Sequence, residues 1–135
     1  MKTIRTILIH AVPITALVWA WSASARGITV VATSYNPSVS QSDDSPCTGA
    51  SGRNLCTAAR EGDRVIAVSR NLLWRNGGPF KWHDKLRLVS DIPNCRGVFS
   101  VEDTLAPRFT NRVDLFFLDR RDNTSCTGTV EKVTF

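Results

Sequence analysis

The sequence predicts a small all-β domain, a barrel or sandwich of six short strands, behind a cleavable leader. Three observations carry this. Short runs rich in β-branched or alternating apolar residues recur along the chain. No stretch shows helical periodicity of useful length, and there are no internal repeats. The segments between the runs are rich in Gly, Pro, Ser, Thr and Asp, and they hold all four cysteines.

Residues 1–25 read as a secretory signal peptide. Lys2 and Arg5 form a positive start, residues 7–21 are mostly apolar, and Ala23 and Ala25 fit a small-x-small cleavage site. The apolar run also contains His10 and Pro13 and falls short of the roughly 20 residues that span a bilayer. An uncleaved anchor is the less favoured alternative, and no stable membrane insertion is expected after cleavage. Residues 26–135 then form one domain of 135 − 25 = 110 residues, enough for a modest core. The protein is expected to be secreted or periplasmic, and monomeric.

Residues 27–35, GITVVATSY, read as the first strand. Residues 36–53 form a long polar loop, and 55–60 allow a helical turn at most. Glu61, Gly62 and Asp63 signal a turn, after which 64–69, RVIAVS, resemble a short buried strand. Residues 71–82 are ambiguous, because Asn76, Gly77, Gly78 and Pro79 break any helix begun at Asn71. Residues 85–90, KLRLVS, alternate, with Leu86 and Leu88 facing in and Lys85 and Arg87 facing out. Residues 92–97 form a loop. Two strands follow within residues 98–117. Residues 119–128 are expected to be a loop, and 128–135 the last strand.

Cys47, Cys56, Cys95 and Cys126 make an even count in a small exported domain, which suggests two disulfides. Three connectivities are possible. Local pairing, Cys47–Cys56 and Cys95–Cys126, is the one expected. With no C-x-x-C motif and one histidine, His83, after the leader, no metal site or other cofactor is expected. The net charge is +5. Removing Lys2 and Arg5 leaves 17 − 2 = 15 basic against 12 acidic residues, or +3. The basic residues are scattered, with no basic block or aromatic ladder, so nucleic-acid binding is not expected.

The chemistry concentrates in residues 98–117, VFSVEDTLAPRFTNRVDLFF. Asp103 closes one apolar run, and Asp114 lies between Val113 and Leu115 in the next. A carboxylate among apolar groups needs a cationic partner or stays protonated. Arg108 and Arg112 could supply the partner. A protonated carboxyl in a cleft would instead suit general acid catalysis. Alternation places Val113, Leu115 and Phe117 on one face and Asp114 and Phe116 on the other. If the first set fills the core, Asp114 looks outward, towards a groove rimmed by Thr33, Tyr35 and Asp103. Burial beside Phe116 and the charge of Asp103 favour a protonated Asp114, whereas Arg108 and Arg112 oppose it.

Five segments, ATSYNP, CTGASGRNLC, RVIAVSRNLL, VEDTLAPRF and RVDLFF, resemble the three-Asp domain family, in the family's order and over nearly all of residues 26–135. The resemblance implies a six-stranded double-psi β-barrel, to which the cysteine reading adds long disulfide-stapled loops. This fold is related to rare lipoprotein A-like domains, to expansin barrels and to the catalytic barrel of membrane-bound lytic transglycosylase A. Two of the family's aspartates are matched by Asp103 and Asp114, 114 − 103 = 11 residues apart, while Ser69 stands at the first. In the lytic transglycosylase branch the aspartate matched by Asp114 is the catalytic acid, so Asp114 and Asp103 are the candidate catalytic residues. Thr33 and Tyr35 match a substrate-lining pattern.

The implied activity is cleavage of the N-acetylmuramic acid to N-acetylglucosamine bond of peptidoglycan, with peptidoglycan or a related wall glycan as partner. In that reaction the sugar's own C6 hydroxyl attacks, so a single carboxyl suffices where ordinary glycosidases usually need two. The alternative is a non-catalytic wall-binding or wall-loosening module of the expansin kind. Trp74 and Trp82 could stack on sugar rings but are expected in packing. His83 is expected at the surface.

Overall fold

A computed structural model of the 135-residue chain describes residues 27–38, 45–119 and 124–135. The leader expected over residues 1–25 lies outside the described residues. Six strands form a closed barrel: β1 (Ile28–Tyr35), β2 (Val65–Val68), β3 (Lys85–Val89), β4 (Gly97–Thr104), β5 (Arg112–Phe116) and β6 (Ser125–Val133), in the spatial order β1-β5-β2-β4-β3-β6. β1 and β5 pair in parallel, as do β2 and β4, and the other four pairings are antiparallel. Closure leaves none of these six strands as a free edge.

Alternation decides what fills the barrel. Val30 and Ala32 of β1, Ile66 and Val68 of β2, Leu86 and Leu88 of β3, Phe99 and Val101 of β4, and Val113 and Leu115 of β5 all join one buried cluster with Val130 of β6. A fully buried Leu or Phe contributes about 1.5–3 kcal/mol by leaving water. The alternation expected for β3 and β5 is present, with Lys85, Arg87 and Asp114 turned away from the interior.

The ambiguous stretch 71–82 contains two single turns of 3-10 helix, Arg70–Leu72 and Trp74–Asn76. The second ends at Gly77, whose φ of 85° is left-handed and suits glycine. Leu72, Leu73 and Phe80 close one end of the core, with Trp82 packed against it.

The helix α1 (Leu55–Arg60) has only six residues, too few to persist alone. The Asn54 side chain caps it by accepting from Thr57 N at 2.9 Å. Its buried Leu55, Cys56 and Ala58 pack with Val65 and Phe116 on the outside of the barrel, joined by Tyr35. Cys47–Cys56 ties this helix to the loop before it.

Cys95–Cys126 is the second bridge, spanning 31 residues, worth about 3–4 kcal/mol in the chain-entropy account. Cys126 is not in a loop as expected. β6 begins at Ser125, because the polar residues 125–129 pair antiparallel with β1, from Thr33↔Ser125 to Thr29↔Thr129. Backbone pairing with β1 outweighs the low apolar content of that segment. Two disulfides in so small a domain fit an oxidising, extracytoplasmic environment.

Candidate functional site

Strand pairing brings the candidate residues into one row. Thr33 on β1 lies opposite Asp114 on β5, Asp114 lies opposite Ala67 on β2, and Ala67 lies opposite Asp103 on β4. Asp103 reaches this row through a bulge. Phe99 and Val101 point inward, so strict alternation would aim Asp103 into the core. The register jumps from Ile66↔Val101 to Ala67↔Asp103, which inserts Glu102 as an extra residue and turns Asp103 outward. Ala67, between the two acids, is small enough to leave a floor rather than a ridge.

Thr33, Tyr35, Asp103 and Asp114 line one open groove of about 920 Å³. At one end its wall is the stapled loop, through Pro46, Thr48, Gly49 and Ala50. At the other it is Arg70, Leu105, Arg108, Phe109 and Arg112. Neither Trp74 nor Trp82 lines it: Trp74 is exposed under Lys81, and Trp82 packs against the core.

Asp114 accepts a hydrogen bond from the Thr33 hydroxyl. Arg112 places Nε 3.5 Å from Asp114 Oδ1 and donates from a terminal nitrogen to Thr33 Oγ1 at 2.8 Å. Thus Arg112 is the cation beside Asp114, while Arg108 lies over the Phe109 ring, 4.5 Å from its centroid. Asp114 remains 21% exposed at its side chain. Phe116, on the same strand face, is buried against α1 and makes an edge contact with Tyr35 at 5.2 Å.

Asp103 has its own donors. It accepts from the Tyr35 hydroxyl at 3.0 Å, from Ala50 N at 3.0 Å and from Thr104 N at 2.9 Å. Burial, and next the charge and hydrogen bond of Asp103, push the Tyr35 phenol well above the ordinary tyrosine range, with Asp114 adding to the same effect. Tyr35 is therefore a neutral donor to Asp103 at any physiological pH.

Ser69, where the resembled family has its first aspartate, is fully buried and serves the scaffold. Its N–H donates to Arg112 O at 2.9 Å, its hydroxyl donates to Asn71 Oδ1 at 2.7 Å, and it accepts from Arg112 N at 3.1 Å. This ties the end of β2 to the start of β5.

Sequence reasoning missed Glu102. Its side chain is 1% exposed, yet it accepts from Ser51 Oγ at 2.7 Å and from Arg53 at 3.1 Å, and His83 Nδ1 lies 2.9 Å away. Arg53 also pairs with Asp63 at 2.6 Å, and Lys85 reaches Asp63 at 3.2 Å. Burial raises the Asp63 carboxyl, but hydrogen bonds and charges from Arg53 and Lys85 outweigh it and hold Asp63 below the ordinary carboxylate range. His83 is at the surface as expected, 67% exposed at its side chain, with a left-handed φ of 71°. A second acid beside Asp103 in an apolar strand was the available signal. The bulge that separates the roles of Glu102 and Asp103 has no marker in the sequence.

Glu102 anchors the groove wall. Its carbonyl accepts from Ser51 N at 3.0 Å, and a Cβ on Gly49 would come within 2.3 Å of that carbonyl oxygen. Only glycine lets the loop approach β4 this closely, and this approach brings Ala50 N to Asp103. Among the described residues, no group of His, Cys, Asp and Glu forms a metal cluster. Compared with protein-family models, curated proteins and solved structures, the chain matches none.

Proposed function

We propose that the groove is a glycan site, and that this exported protein cleaves the N-acetylmuramic acid to N-acetylglucosamine bond of peptidoglycan in the manner of a lytic transglycosylase. The observation that carries the reading is the row Thr33, Asp114, Ala67, Asp103 on the floor of one open groove. The barrel's strand order and its two parallel pairs are compatible with a double-psi barrel of the three-Asp kind. A leader at residues 1–25 would deliver it to the periplasm or the medium, in keeping with its disulfides.

Asp114 is the acid and then the base. Its proton passes to the glycosidic oxygen as the bond to C1 breaks. The C6 hydroxyl oxygen of the same sugar bonds to C1, and its proton returns to Asp114. No water is consumed and one carboxyl suffices. Asp103 and Asp114 stand two strand spacings apart, about 10 Å at the backbone. Asp103, held by Tyr35, Ala50 and Thr104, then shapes the groove and its charge instead of attacking.

Digestion of purified peptidoglycan tests this. The protein should release 1,6-anhydro sugars, and Asp114→Asn should lower their formation at least about 100-fold, the lower end for general acid catalysis, with the fold intact. Unchanged release by a well-folded Asp114→Asn protein rules the mechanism out. A second reading, a non-catalytic wall-binding module, is favoured by the engagement of Asp114 with Thr33 and Arg112 and by serine at position 69. Sedimentation with the wall without anhydro products would establish it.

A further inference from the structure

The groove is asymmetric in charge along its length. Asp103 and Asp114 lie in its middle row. Arg70, Arg108 and Arg112 gather at one end, where β2 and β4 finish and β5 starts. Arg112 is matched by Asp114 at 3.5 Å. Asp103 accepts from the Tyr35 hydroxyl, Ala50 N and Thr104 N. Arg70 and Arg108 line the same groove, are exposed, and have no carboxylate within ion-pair distance among the described residues.

Both arginines are held at that end. Arg70 Nε donates to Leu105 O at 3.2 Å, which fixes one edge of its guanidinium. The guanidiniums of Arg108 and Arg112 lie 4.5 and 4.3 Å from the Phe109 centroid. Such contact orders the cations and covers the ring, so Phe109 orients arginine and is not free to stack on sugar. The corner beneath is braced, since Asn71 donates to Asn111 Oδ1 at 2.8 Å and its own Oδ1 accepts from Asn111 N at 3.2 Å and from Ser69. A fixed, planar donor with no acid paired to it among the described residues is suited to a ligand carboxylate.

We propose that the arginine end is an anion subsite, in which Arg70 and Arg108 hold a free carboxylate carried by the glycan. Resting on the reading of the groove as a glycan site, this names the substrate class: an acidic sugar chain rather than a neutral one. The subsite lies to one side of the reacting row. Arg112 precedes Asp114 by two residues, about 6–7 Å along the strand, so the bound carboxylate belongs to a part of the chain flanking the bond at Asp114. Two sources offer that chemistry, the lactyl carboxylate of wall strands stripped of their peptides and the carboxylate of a uronate polymer.

Binding of the purified protein separates them without any need for turnover. Peptide-free wall strands are compared with the same strands amidated at their carboxylates, and polygalacturonate with its methyl ester, at low ionic strength. The free acid of at least one polymer should bind about tenfold or more tightly than its neutral form, as expected for charged hydrogen bonds in a groove, and added salt should shrink the difference. Arg108→Gln and Arg70→Gln should each reduce the ratio of the two dissociation constants to near one. Both side chains are exposed, so folding is not at stake, and near-ultraviolet circular dichroism checks it. A preference on wall strands assigns the lactyl source. A preference confined to polygalacturonate supports the subsite while telling against the wall reading. Equal binding of acid and neutral forms of both polymers, or a full preference retained in both arginine variants, overturns the proposal. Absence of anhydro products would refute the enzyme reading and leave this one standing.

Discussion

Glu102→Gln probes how the groove wall is held. The buried carboxylate takes Ser51 Oγ at 2.7 Å, Arg53 at 3.1 Å and His83 Nδ1 at 2.9 Å. Glutamine keeps the shape and one accepting oxygen but removes the charge. Two bonds then fall from the charged class, about 1.5–3 kcal/mol, towards the neutral class, about 0.5–1.5 kcal/mol. Arg53 is not abandoned, because Asp63 holds it at 2.6 Å, so the loss should be about 2–3 kcal/mol. Glu102→Ala adds a cavity and leaves Ser51 unpaired, and should cost about 3–5 kcal/mol. At about 4 °C per kcal/mol for a domain of this size, the glutamine variant should melt roughly 8–12 °C lower, with the alanine variant lower still. Thermal unfolding followed by near-ultraviolet circular dichroism, with disulfides intact, reads both. A glutamine variant within about 2 °C of the parent would show that the charge of Glu102 does not hold the wall. Equal losses in the two variants would assign the effect to the charge and its hydrogen bonds, with nothing added by the cavity.

Two pH predictions follow from the same neighbourhood. Tyr35 is the only tyrosine, so ultraviolet absorbance reports it alone. Its raised folded value means that stability from this group is intact below about pH 10 and lost as pH climbs through the folded value. Tyrosinate should appear only well above pH 10, earlier in Asp103→Asn, and a native-state midpoint near 10 would contradict the Asp103 contact. Asp63 behaves oppositely: its lowered value gives stability that is present above the ordinary carboxylate value of 3.8 and lost as pH falls through the folded one. Lys85→Met should therefore shrink the stability difference between about pH 5 and pH 3 measured by urea unfolding, and an unchanged difference would remove Lys85 as a partner of Asp63.

Much of this protein was legible in the chain because it depends on local rules. The alternation of KLRLV and RVDLF placed Leu86, Leu88, Val113 and Leu115 inside and Asp114 outside, since a strand's period of two leaves no other choice once one face is apolar. Spacing and compartment gave the pairing Cys47–Cys56 and Cys95–Cys126 as the local choice. What escaped depends on partners far along the chain. The strand status of Cys126 comes from its pairing with Ala32 of β1, not from its own polar neighbours. Asp103 faces the groove only because pairing with β2 inserts Glu102 as a bulge. That Arg112 and not Arg108 stands beside Asp114 is likewise visible only in the folded structure. Sequence periodicity fixes which way a side chain leaves its own strand. Which group it then meets is set by barrel closure, which brings β1, β5, β2 and β4 side by side although residues 28–116 separate them along the chain.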